Sequence, residues 1–91
     1  MLFIVNYSIN SQTRGPQGLV AALNTLGDAR LQIFGNTWLL HTVRERAVDI
    51  QHVLQMQIDP ADRVFVAEIT RMPRNGWMNR NVWEWANQHD N

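Results

Sequence analysis

Few residues in this 91-residue chain have the type and spacing that chemistry needs. His41, His52 and His89 are the only imidazoles, and no two stand at a spacing that would bring both to one metal ion. Asp59 and Asp62 flank Pro60, where a carboxylate pair can move protons but also serves as acceptor for turn N–H groups. Ser8 and Ser11 lack a neighbouring base and the glycines of a nucleophile elbow, so covalent catalysis is not indicated. With no cysteine, disulfides and thiolate zinc sites are excluded. This set predicts no catalytic residue, no cofactor and no metal.

The most informative polar group lies near the end of the chain, where Arg71, Arg74, Asn75, Asn79, Arg80 and Asn81 surround Trp77. Guanidinium groups fork onto phosphates and indoles stack on bases, which is the chemistry of DNA or RNA contact. Arg14 in the first loop, with Arg44 and Arg46 ahead of the second helix, extends that candidate nucleic-acid set. The same residues have a second reading, in which the tryptophans pack the tail onto the sheet or a partner and the arginines stay solvated or pair with Glu68 and Glu84. Eight arginines balance eight acids for a net charge of zero. With a pI near 6.8, the chain permits a local patch and not a broad basic field.

The elements that must position these residues follow from periodicity. An apolar fraction of 45% against 18% charged excludes a disordered tail and fits one small domain. Leu2–Tyr7 reads as a strand. Pro16 suits the first position of a helix whose stripe is Leu19, Val20, Leu23 and Leu26, with Gly27 as its cap. Leu31–Phe34 and Thr37–His41, separated by Gly35-Asn36, read as a hairpin. Thr42 and Glu45 have capping-box spacing and predict the start of a second helix carrying Ala47, Ile50, Val53, Leu54 and Gln57. Asp59-Pro60 breaks it, and Val64–Ile69 is the fourth strand. Strand, helix, strand, strand, helix, strand is the ferredoxin-like βαββαβ order of an α+β fold. Its antiparallel sheet carries two helices on one face, in a domain over residues 1–70. Residues 71–91 form a Trp-rich extension, with Asn79 ahead of a short helix bearing Val82, Trp83, Trp85 and Ala86. Nothing approaches 18 consecutive apolar residues and Met1 leads directly into a strand, so neither membrane contact nor a leader is expected, and the cytoplasm is the expected compartment.

Two helices cover only one face of such a sheet, yet the strands are apolar on both. The uncovered face is therefore expected to meet a second copy of the chain, the tail, or both. The candidate interface residues are Tyr7, Trp38, Leu40, Val64, Val66, Trp83 and Trp85.

The stretches Ile4-Val5-Asn6-Tyr7-Ser8-Ile9, Leu26-Gly27-Asp28, Asn36–Thr42 and Asp62–Thr70 resemble the small CRISPR-associated Cas-two family and its SinR-like relatives. The resemblance covers about residues 2–70 and implies a ferredoxin-like homodimer. Cas-two members bind duplex DNA, and some act as metal-dependent nucleases through an Asp that follows the Tyr ending the first strand. Ser8 occupies that position, and no acid precedes Asp28. A neutral hydroxyl does not replace a carboxylate in holding Mg²⁺. The expectation is a non-catalytic homodimeric interaction protein, with DNA, RNA or another protein as further partner. The alternatives are a metal-dependent endonuclease and a dimeric small-ligand binder.

Overall fold

In chain order the computed structural model, which describes residues 1–11 and 14–91, contains β1 (Leu2–Ser8), α1 (Gln17–Leu23), β2 (Ala29–Phe34), β3 (Thr37–His41), α2 (Ala47–Gln55), β4 (Arg63–Glu68) and α3 (Arg80–Gln88). The four strands make one antiparallel sheet in the order β2-β3-β1-β4. This α+β arrangement is compatible with a ferredoxin-like fold.

Strand β1 is central because it can bury side chains on both faces. Phe3, Val5 and Tyr7 point to one side and join Leu40 from β3. Leu19, Leu23 and Leu26 from α1 and the turn after it, with Ile50 and Leu54 from α2, close over them as the main core. Phe3, Val5, Leu19, Leu23, Leu40, Ile50 and Leu54 are at most 1% exposed. Each such side chain contributes roughly 1.5–3 kcal/mol by leaving water. Leu2 and Leu39 point the other way and meet Ala86 of α3, with Ile4, Ile33, Ile69 and Trp85 around them. The tail thus builds a second, smaller core on the face that α1 and α2 leave open.

This placement corrects the interface expected from sequence. Tyr7, Trp38, Leu40, Val64 and Val66 lie on the face covered by α1 and α2, in or against the main core. They are occupied within the chain. Trp85 packs against the second core, and Trp83 is half-buried on α3. The open face carries the opposite set, with Asn6 paired to Phe65 and Ile4 paired to Ala67 across β1 and β4.

Element ends differ from the periodicity for local reasons. α1 stops at Leu23, and a turn brings Gly27 to φ +64°, a left-handed conformation that glycine adopts without strain. A Cβ there would stand 2.3 Å from the His41 carbonyl oxygen, so the close approach to β3 also requires glycine. Thr42 and Glu45 do bond to each other, the hydroxyl donating to the carboxylate, but they form a turn ahead of α2. The helix begins at Ala47, where Asp49 reaches back to accept the Arg46 N–H at 3.1 Å. This carboxylate also suits the positive end of the helix dipole. Among the described residues no helix is long and apolar enough to cross a membrane.

Candidate interaction surface

Polar contacts at the end of the chain fold the tail back onto the sheet. Asp90 Oδ1 accepts the Arg71 N–H at 2.5 Å, and Asp90 Oδ2 accepts from the Arg74 guanidinium at 3.0 Å. The Arg74 hydrogen bonds, first, and then the Arg71 N–H hold the Asp90 carboxyl below the ordinary Asp range. Arg71 itself has φ +55°, a conformation that side chains rarely adopt, and the Asp90 bond fixes it there. One residue further on, Asn91 Oδ1 lies 2.7 Å from His41 Nε2, while His41 Nδ1 lies 2.6 Å from Asp28 Oδ1. His41 is buried, and its bond to Asp28 lowers the Asp28 pKa. His89 stacks on Trp85 with ring centroids 4.1 Å apart. The histidines are thus engaged in seating the tail, apart from His52, which is exposed on α2.

Between these anchors and α3, residues 73–78 arch over the open face of the sheet. They leave a cleft of about 450 Å³ between Ile4, Leu39 and Ile69 below and Val82, Trp83 and Ala86 beside them. A hollow of about 230 Å³ continues past Ile33, Phe34, Met78 and Asn79. Trp77 stands at the rim, shared by both spaces, with its side chain wholly exposed. Phe34 is 56% exposed beside it, and Phe65, on the same face of the sheet by register, is 65% exposed. An indole in full contact with water next to an open apolar cleft is a surface suited to another apolar surface.

The candidate nucleic-acid residues do not gather into one patch. Arg14 pairs with Asp59 at 3.3 Å, Arg46 with Asp49 at 3.5 Å, Arg74 with Asp90 at 3.0 Å and Arg80 with Glu84 at 3.1 Å. The expected partner Glu84 is thus found, whereas Glu68 takes the Thr70 hydroxyl. Arg44 and Arg71 are exposed and take part in none of the ion pairs among the described residues. Both flank the start of β1, since Thr42 bonds to Met1 and Thr70 to Leu2. Arg14 lies at the opposite end of that strand, beside the Asp59–Asp62 turn.

Ser8 is exposed at the end of β1, opposite Arg63, and its hydroxyl meets Asn10 Oδ1 at 3.3 Å. The nearby Asp62 is buried, and its oxygens are committed to backbone. Oδ1 accepts the Asn10 and Ser11 N–H groups at 2.6 and 2.9 Å, and Oδ2 accepts that of Asp59 at 2.9 Å. These bonds, the Asp59 N–H foremost, hold its pKa below the ordinary value. Asp62 is the tie between the first loop and the turn before β4. Among the described residues no three His, Cys, Asp or Glu side chains are grouped to hold a metal ion.

Phe34, Phe65, Ile33 and Val82 are not among the interface residues expected from sequence. The available signal was polar. Asn6, Ser8, Thr37 and His41 interrupt one face of β1 and β3, while Phe3, Val5 and Tyr7 run unbroken on the other. The uninterrupted face is the one that two helices bury. Compared with protein-family models, with curated proteins and with solved structures, the chain matches none.

Proposed function

We propose that this chain is a non-catalytic interaction protein that associates with itself through the tail side of its sheet. The observation that carries the reading is the wholly exposed Trp77 beside the half-exposed Phe34 at the mouth of an apolar cleft. A small domain gains from covering such a surface, because burial of apolar area is the main source of association energy. Twofold dimers are the commonest way to cover it. The resemblance to SinR-like and Cas-two proteins in residues 2–70 agrees with a homodimer, and Ser8 in place of the family's Asp agrees with a loss of nuclease chemistry. Sedimentation velocity over a range of concentrations tests it. Mass should rise from one chain to two as concentration increases, whereas a single-chain mass at every concentration would refute the proposal.

A second reading rests on Arg44 and Arg71, the exposed cations outside the described ion pairs at the start of β1. In this reading they meet the phosphates of a nucleic acid while the tail surface holds the dimer. Loss of duplex binding in Arg44→Ala with dimerisation intact would support it. Equal binding by that variant and the wild type would count against it.

A further inference from the structure

Resting on the self-association reading, we infer that the Trp77 indole of each copy fills the cleft of the other, so that two reciprocal insertions make the dimer. A twofold interface must carry both a projection and its matching recess on one patch, because the same surface faces itself. This patch does. Trp77 is the fully exposed projection, and the recess opens directly beside it, walled by Phe34, Val82 and Trp83.

Size and chemistry agree. A cleft of about 450 Å³ has room for a bicyclic ring. Its floor of Ile4, Leu39 and Ile69 offers the dispersion contacts that an unfilled apolar space forfeits. A buried indole N–H needs an acceptor, and Asn79 lines the outer hollow where the ring would enter. The charge of Arg74 is already matched by Asp90 at the cleft's edge, so an entering neutral ring strands no ion. Two indoles, two Phe34 rings and the walls that receive them bury roughly 1,000 Å² in total, near the lower limit for a specific interface. The dimer is therefore expected to be of micromolar affinity rather than obligate.

The test compares the full chain with Trp77→Ala, which removes the projection, and Val82→Trp, which fills the recess from α3. Each is examined by sedimentation velocity from roughly 1 to 500 μM, where micromolar association is visible. The expected result is a dissociation constant raised at least about tenfold in each variant. A one-to-one mixture should associate more tightly than either variant alone, because it restores one insertion. Trp77→Ala alters an exposed side chain and stays interpretable even if Val82→Trp does not fold. A wild-type chain that remains monomeric overturns both the inference and the reading beneath it. A wild-type dimer matched by an equally stable Trp77→Ala dimer overturns the insertion alone and leaves self-association standing. The emission of Trp77, taken as the difference between wild type and Trp77→Ala, should shift to the blue as dimer forms. A blue-shifted emission already present in the monomer would place the ring in its own cleft and overturn the exchange.

Discussion

The Asp62 carboxylate ties the first loop to the turn before β4, its oxygens receiving N–H groups from residues 10, 11 and 59. This is the turn role that its spacing from Asp59 across Pro60 allows. Three donors stabilise the ionised form, which is why the folded pKa is lowered. A lowered folded pKa contributes stability that is fully present above the unfolded Asp value of about 3.9. That contribution is lost as pH falls through the folded value. Asp62→Asn presents an amide N–H₂ to groups that are themselves donors. Its thermal midpoint at pH 7 is expected to fall by roughly 5–10 °C. The deficit should be smaller at pH 2, because acid titrates the wild-type carboxylate towards its uncharged form. A deficit of equal size at both pH values would show that the charge of Asp62 contributes nothing. Asp28, Glu45, Asp49 and Asp90 are lowered in the same direction, so the wild type should lose stability steeply in acid.

At the scale of elements, α3 is held by a short polar anchor and a small apolar contact, in contrast to the α1–α2 layer. Ala86 is 2% exposed between Leu2 and Leu39, where a methyl group fits and a charge does not. Ala86→Glu would bury an unpaired carboxylate, and lifting the helix away relieves that cost. The expected outcome is faster hydrogen exchange in residues 80–88, by about 100-fold or more, with the protection of β1 retained. Equal loss of protection in α3 and β1 would mean that tail and sheet unfold as one unit. This division also explains what could be read along the chain. Apolar patterning together with turn and cap residues placed the four strands and the helices between them, because each of these signals is local. The helix ends moved because Gly27 and Asp49 answer to His41 and Arg46 rather than to periodicity. The seating of the tail was not legible, since Arg74 meets Asp90 16 positions away and His41 meets Asn91 50 positions away. Which face stayed open was encoded only by polar interruptions, and the exposed Phe34 and Phe65 follow from that choice.

For the whole molecule, charge separates the two kinds of partner. Eight arginines against eight acids leave no net charge, and four arginines are paired within the chain. Association through Trp77 and the cleft is apolar, so counter-ions have little to screen. Between about 0.05 and 0.5 M NaCl the dimer constant is expected to change by less than about threefold, and sulfate should tighten it. Nucleic-acid contact through Arg44 and Arg71 follows a different law. Two phosphate contacts release counter-ions with a log–log slope near −1.8, so duplex affinity should fall by about 60-fold over the same tenfold rise in salt. Both quantities can be followed in one sedimentation series with a labelled duplex. A dimer that dissociates as salt rises would assign the interface to ion pairs and displace Trp77 from its centre. A dimer indifferent to salt, alongside duplex binding that decays with the slope of two contacts, would place self-association on the tail side of the sheet and phosphate contact at the start of β1.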